Sequence, residues 1–427
     1  MHKFFDKLRW RGMIHDITPG IAAQLKKETT AGYIGFDPTG PSLHVGNLAT
    51  IMLLKHFQLA GHKPMVLIGG ATGMIGDPSG KSVERKLLHE DELQYNQECI
   101  SKQLRRFIDF SPGAYGAELL NNIDWFSDLG FLEFLREVGK YLPLNYMMAK
   151  ESVKRRLVGG ISFTEFTYQL LQGYDFYHLY TTMGVKLQMG GADQWGNLTT
   201  GIELIRRKAG GAAFALTTPL ITKADGSKFG KTEQGNIWLD PTMTSPYAFY
   251  QFWLNCSDEE ASRLIKVFTL LSQEAIATLT QAHQVAPHKR ILQKTIAKEL
   301  TITVHSAAAY TQAAKVSELL FGHATQTDLL ALDEKDLLVI FVNVPQIKIS
   351  KEQLARVEYV IELITSTTQG IIFPTKGAAR RMMQEGGVSI NKVKVTNPYQ
   401  KPDWMLLRGR YLLVQRGRKD HYLIIVD

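Results

Sequence analysis

The stretch AGYIGFDPTGPSLHVGNLATIMLLKHFQLAG, residues Ala31 to Gly61, decides the fold class. AGYIGF is a short apolar run that ends at Asp37 and Pro38. LATIMLLKHFQLAG has helical periodicity and stops at Gly61, a natural C-terminal cap. Between the two, Pro38 and Pro41 hold a loop extended, and each restricts the residue before it. PMVLIGG (64–70) and VKLQMGG (185–191) are further continuous apolar runs. Runs apolar on both faces suit strands covered by helices on each side. Strands alternating with helices predict a parallel sheet, with ligands bound where the strands end in glycine and loop chemistry.

Working outward, 427 residues exceed what one core organises. The texture changes near Ser245. SDEEASRLIKVFTLL opens with Ser257 and Glu260 in capping-box spacing, and long helical signals continue to about Gly322. The last section combines a helix-like KGAARRMMQ with the strand-like VSIN, KVKV and YLLVQ. The expected organisation is α/β: a Rossmann-like parallel-sheet catalytic domain over 1–244, an α-helical domain over 245–335, a linker over 336–354 and a small α+β domain over 355–427.

Hydrophobic residues make up 44% and charged residues 21%, with a mean hydropathy of −0.11. No run approaches the ~20 apolar residues that span a bilayer. MHKFFDKLRWRG lacks the apolar core of a signal peptide, so a cytoplasmic protein is expected. Cys99 and Cys256 exclude a disulfide framework and a Cys-rich zinc site, and are expected to be buried reduced thiols. The net charge is +8, and residues 371–427 hold eleven Lys and Arg against four Asp and Glu. A basic block of that kind attracts a polyanion, with nucleic acid the first candidate, although it also serves as a solubilising surface.

Four stretches carry candidate chemistry. His44 stands at the mouth of a helix beginning near Gly46 or Asn47, where unpaired N–H groups attract phosphate. The same spacing also describes a simply capped helix. GGATGMIGDPSGKS looks like a P-loop, but Ile75 stands where that motif needs glycine, and Asp77 would repel phosphate. The loop suits an ammonium group, or is a glycine-rich turn closed by an Asx-type bond. In SFTEFTYQLLQGYD, Ser162 and Glu165 have capping-box spacing. Tyr168, Gln172 and Asp175 fall on one helix face, within about 60° of each other, as a polar ligand wall or a solvated face. KADGSKFGKT places Lys223, Lys228 and Lys231 in a glycine-containing loop, suited to neutralising a pyrophosphate or to solvation alone.

In their order, HVGN, GDPSGK, TYQLLQGYD, GGADQWGN and KFGKT resemble the bacterial tyrosyl-tRNA synthetases, a class I aminoacyl-tRNA synthetase family. HVGN stands for the family's HIGH element, with Asn47 in place of the final histidine. KFGKT stands for KMSKS, with Gly230 in place of a serine. The resemblance implies a tyrosine–tRNA ligase: tyrosine attacks ATP, giving tyrosyl-adenylate and pyrophosphate, and the tyrosyl group passes to the terminal adenosine of tRNA(Tyr). It implies that Thr39, His44 and Asn47 hold ATP phosphates and ribose, with Gly46 letting the nucleotide approach. Lys81, Arg85, Lys228 and Lys231 would gather round pyrophosphate. Asp77, Tyr168 and Gln172 would take the ammonium group, with Gln194 near the carboxylate and Asp37, Gly191 and Asp193 near the adenylate. Tyr33 and Asp175 would hydrogen-bond the substrate phenol, so phenylalanine would leave buried groups unpaired at a cost of several kcal/mol. Mg2+ would travel on the ATP phosphates, with no protein-held metal or tightly bound cofactor. The last domain resembles an S4-type RNA-binding unit, implying tRNA contacts from Arg380, Arg381, Lys392 and Lys394. The family is a homodimer, and GFLEFLREVGKYLPLNYMM would supply part of the interface. A tryptophanyl relative, a synthetase-derived RNA-binding protein and another nucleotidyltransferase share parts of this pattern. The Tyr33–Asp175 pair, the retained His44, Asp77, Lys228 and Lys231, and the basic tail argue against them in turn.

Overall fold

Five parallel strands, β1 (Ala31–Phe36), β2 (Lys63–Ile68), β3 (Glu118–Asn121), β4 (Leu187–Gly191) and β5 (Phe214–Thr218), form a sheet in the order β3-β2-β1-β4-β5. This computed structural model describes residues 3–79, 88–157, 159–223, 226–227, 229–232, 235–322, 325–332, 334–341, 344–403, 405–417 and 420–427. The order reverses at β1, which has β2 on one side and β4 on the other, so a crevice opens beyond its carboxyl end. The helices flanking the sheet are α1 (Leu48–Leu59), α2 (Glu90–Leu104), α3 (Phe163–Met183) and α4 (Trp195–Ala209). One face of β1 meets α1, where Phe57 lies against Gly32. On the other, Tyr33, Met65, Leu67, Phe176 and Leu179 form an apolar cluster beneath α3.

The chain forms two compact units: residues 1–244 with 252–306, and residues 245–251 with 307–427. This division differs from the expected one. Helices α5 (Asp258–Phe268), α6 (Gln273–Val285) and α7 (Ile291–Val304) belong with the parallel sheet, while α8 (Ala307–Phe321) belongs with the C-terminal part. The Ser257–Glu260 capping box forms in both directions. Arg11 explains one attachment of the helical layer. It is 2% exposed and donates to the carbonyl oxygens of Lys266, in the last turn of α5, and of Thr269 (2.6 Å) and Leu271 (2.6 Å), just beyond it. Helix-end carbonyls that would otherwise lack partners are thereby satisfied.

The second unit holds a sheet in the order β10-β9-β11-β12-β8, made of β8 (Gln346–Ile349), β9 (Val388–Ile390), β10 (Val393–Lys394), β11 (Tyr411–Arg416) and β12 (Asp420–Val426). β8 lies within the stretch expected as a linker. It pairs in parallel with β12 from Gln346 opposite Leu423 to Ile349 opposite Val426, and alternates exposed and buried residues. Its alternation covers only four residues, too few to stand out in the sequence. α9 (Lys376–Gln384) packs on this sheet through Ala379 and Met383. Both cysteines are free, Cys256 buried and Cys99 half-buried. Among the described residues, no helix is long and apolar enough to cross a membrane.

Candidate active site

The polar wall on α3 forms because the helix is anchored at its start. Ser162 Oγ accepts from the Glu165 backbone N–H at 3.1 Å. The Glu165 carboxylate is held by Arg156, at 2.7 and 2.9 Å, in a pair buried on both sides. From that anchor Tyr168 and Asp175 turn inward, 4% and 2% exposed, with half-buried Gln172 between them. The Tyr168 hydroxyl donates to Asp37 Oδ2 at 2.7 Å, just past β1. Thr72 Oγ1 donates to Asp37 Oδ1 at 2.8 Å and accepts from Asn122 Nδ2 at 3.0 Å. Asn122 also reaches Asp175 Oδ2 at 3.1 Å, and Trp125 Nε1 donates to Asp175 Oδ1 at 2.9 Å. Stacking of Trp125 on His178, 4.6 Å between ring centres, fixes the indole.

Asp175 is pulled two ways. Burial pushes its carboxyl up to about 7, while the Asn122 and Trp125 hydrogen bonds favour the charged form. Tyr33, 1% exposed, packs edge-to-face with Phe176 at 5.6 Å. Burial first, then the Asp175 charge, hold its phenol well above the ordinary tyrosine value. Its hydroxyl has no hydrogen-bond partner among the described residues. Gln188 stands in register with Tyr33 on the neighbouring strand, on the same face, and its Oε1 also lacks a partner among those residues. Two residues along β1, Gly35 is exposed, and nothing lies within 4 Å of where a Cβ would stand. The middle strand thus leaves open space on the face that carries Tyr33.

A second cluster centres on Asp77. Its Oδ1 accepts from Ser79 N at 2.9 Å, the Asx-type bond one reading of the loop expected, and from Asn197 Nδ2 at 3.3 Å. Its Oδ2 accepts from Gln194 Nε2 at 2.6 Å. Asn197, 3% exposed, also donates to Gln172 Oε1 at 2.9 Å and lies 3.3 Å from Gln194 Oε1. The Asp77 carboxylate and the Gln172 and Gln194 amide oxygens all accept from the one Asn197 amide, and such a set of acceptors suits a cation with several hydrogens, as an ammonium group is.

The third cluster joins the two signature loops. His44 Nδ1 accepts from Gly46 N at 3.0 Å, and Asn47 Oδ1 accepts from His44 N at 3.0 Å, a reciprocal cap on a 3-10 turn (Val45–Asn47) that leads into α1. The capped-helix reading is therefore realised, and the cap leaves the ring's hydrogen on Nε2. Lys231 is exposed on β6 (Lys231–Thr232), which pairs with β7 (Gly235–Asn236). The chain after β7 runs beside the His44 loop: Val45 N donates to Ile237 O at 3.0 Å and Leu239 N to Leu43 O at 2.8 Å. Gly230 has φ +81, and a Cβ there would stand 2.4 Å from Val45 Cγ2. Contact with the other signature loop thus accounts for glycine at that position.

The remaining candidate residues are placed as follows. Thr39 is exposed just beyond β1, its N–H on Asp37 O at 2.9 Å. Gly191 ends β4, and Asp193 lies in the 3-10 turn (Ala192–Gln194) that follows. Lys81, Arg85 and Lys228 lie outside the described residues. Among the described residues, no three His, Cys, Asp or Glu side chains gather as metal ligands. In the second unit Arg380 and Arg381 are exposed on α9, where Arg380 donates to the Tyr399 hydroxyl at 2.8 Å. Lys394 is exposed on β10, whereas Lys392 is half-buried and bonds to the carbonyl oxygen of Leu320. Sequence reasoning passed over Asn122, Trp125, Gln188 and Asn197. Of these Asn197 sits inside the GGADQWGN motif and Gln188 inside the apolar run VKLQMGG, while Asn122 and Trp125 lie in no quoted stretch.

Residues 25–322, which carry the parallel sheet and the loops around it, match the family described as tRNA synthetases class I (W and Y). The chain belongs to that family. Residues 336–424 match the model described as the C-terminal domain of tyrosine–tRNA ligases. The chain is 71% identical to the tyrosine–tRNA ligase of Amoebophilus asiaticus, covering all of both chains. It is 59% identical to that of Cytophaga hutchinsonii over 99% of each. A C-terminally truncated mitochondrial tyrosyl-tRNA synthetase of Aspergillus nidulans superposes with a TM-score of 0.68 at 28% identity, over 74% of this chain and 94% of its own.

Proposed function

We propose that the chain is a tyrosine–tRNA ligase that activates L-tyrosine with ATP and charges the 3′-terminal adenosine of tRNA(Tyr). The observation that carries this reading is the Tyr33 hydroxyl, buried and unpartnered among the described residues beside the oriented Asp175 carboxylate. One group offers a donor and the other an acceptor, and a phenol needs both. A tryptophan side chain has no oxygen to accept from Tyr33.

The substrate's ammonium group takes the place of the amide hydrogens now on Asp77, Gln172 and Gln194. Its carboxylate oxygen attacks the α-phosphorus of ATP, an O–P bond forms, and the bond to the β-phosphate oxygen breaks to release pyrophosphate. His44 Nε2–H and the Asn47 amide donate to the nucleotide phosphates, and Lys81, Arg85, Lys228 and Lys231 neutralise the leaving charge. Mg2+ arrives with the nucleotide, held by its phosphate oxygens. A ribose hydroxyl of the tRNA then attacks the tyrosyl carbonyl, and AMP leaves. No covalent enzyme intermediate is required, so the site works by positioning and by charge stabilisation. Arg380, Arg381, Lys392 and Lys394 meet the tRNA backbone. The enzyme is a homodimer: exposed Phe131, Leu132, Leu135 and Leu144 give it an apolar surface for a second copy. We assign the reaction to the cytoplasm, where charged tRNA is consumed.

The test is amino-acid-dependent exchange of labelled pyrophosphate into ATP. Exchange is expected with tyrosine and not with phenylalanine or tryptophan. Exchange with tryptophan alone would move the assignment to the other branch of the family.

A further inference from the structure

The geometry points to Gln103 as a positioning residue for both signature loops. It lies in the last turn of α2, is only 9% exposed, and appears in none of the motifs. Its Oε1 accepts from Leu43 N at 2.9 Å and its Nε2 donates to Ser42 Oγ at 3.1 Å. Ser42 Oγ also accepts from Asp240 N at 3.1 Å. Ser42 and Leu43, 5% and 4% exposed, immediately precede His44.

Beyond this clamp the two loops run side by side. Leu239 N meets Leu43 O, Val45 N meets Ile237 O, and Ile237 N donates to Gly230 O at 2.9 Å. The amide of Gln103 therefore ends a short ladder whose rungs reach His44 on one side and Gly230, next to Lys231, on the other. A buried side-chain amide satisfying a backbone N–H and a hydroxyl together fixes register far better than apolar contact, which is non-directional. In the reaction, His44 and Lys231 act on phosphates whose charge shifts as pyrophosphate leaves, so small displacements of these loops register in the chemical step. Tyrosine is held elsewhere, by Asp77, Asp175 and their partners. Gln103 is thus assigned to transition-state geometry and not to amino-acid binding.

This inference rests on the reading of the site as one that activates tyrosine, and wild-type exchange tests that reading by itself. The second experiment compares full-length wild type with Gln103→Leu, Gln103→Glu, Ser42→Ala and the double variant Gln103→Leu/Ser42→Ala, measuring kcat and tyrosine KM for exchange alongside Tm. Gln103→Leu is expected to lower kcat about tenfold or more with tyrosine KM within about twofold of wild type. Gln103→Glu keeps an acceptor for Leu43 N and should recover most of the loss. The double variant should fall little below Gln103→Leu alone, because both residues serve one clamp. A folded Gln103→Leu protein with wild-type kcat overturns the proposal. So does a parallel loss of kcat, tyrosine affinity and Tm that the Glu variant does not repair, since that marks a purely structural side chain.

Discussion

In its proposed role Asp175 must be charged to accept a phenol hydrogen well, yet it is buried where charge is costly. Its carboxyl sits near pH 7, above the ordinary range near 4, so the folded chain keeps a proton that the unfolded chain has lost. Stability therefore declines as pH rises from about 4 to about 7, and above that range the folded protein carries the whole cost of the buried charge. Asp175→Asn removes this cost. Its Tm should exceed that of wild type at pH 8 by more than it does at pH 5, a comparison calorimetry makes directly. The same substitution should weaken tyrosine use about a hundredfold through the lost charge-assisted hydrogen bond. Wild type should gain tyrosine affinity between pH 6 and 8 as Asp175 ionises, and the substitution should flatten that rise. Tyr168, Gln172 and Asp175 could be grouped from sequence because helical spacing alone brings them together. Asn122, Trp125 and Gln188 could not: isolated polar residues on distant strands and turns, they acquire meaning only when the sheet sets β4 beside β1 and the turn after β3 against α3.

At the scale of elements, β1, β2 and β4 were legible because each is an apolar run closed by glycine or proline. β3, ELLN, has four residues and is half-buried along its length, and β5, FALTT, runs into two threonines with no closing glycine, so neither reads as a closed apolar run. The start of α3 was legible in its serine, whereas the partner of Glu165 was not. Arg156 lies in a separate helix (Glu151–Leu157) and forms an ion pair with that carboxylate. Arg11 was equally silent. It is one of four cations in an N-terminal helix (Lys3–Arg11), with no motif to single it out, and burial lowers its pKa to about 10. Arg11→Ala should cost about 3 kcal/mol, since it removes charge-assisted hydrogen bonds to three carbonyls at the end of α5. Urea unfolding would read that loss as a lower midpoint with an unchanged slope. Arg11→Lys should restore only part of it, because an ammonium lacks the planar fork that reaches the three oxygens together.

At the scale of the whole molecule, every described residue of the proposed tyrosine and nucleotide site belongs to the unit of residues 1–244 and 252–306, and the candidate tRNA contacts belong to the other. The two partial reactions should separate accordingly. Arg380→Ala with Arg381→Ala should leave pyrophosphate exchange unchanged and raise the KM for tRNA. If each arginine meets one phosphate, the salt dependence of tRNA binding should lose about two units of log–log slope. Nitrocellulose filter binding across a range of ionic strengths gives that slope.

The chain passes from one unit to the other three times, after residues 244, 251 and 306. Residues 245–251 thus leave the ribosome well before the segment from 307 onward that completes their unit. During synthesis this heptapeptide is an orphan, with the buried Phe249 and Tyr250 awaiting their cover while the first unit closes around 252–306. No single genetic cut returns two whole pieces, so gene fusions and domain exchanges across this boundary have to carry the heptapeptide with its later companions.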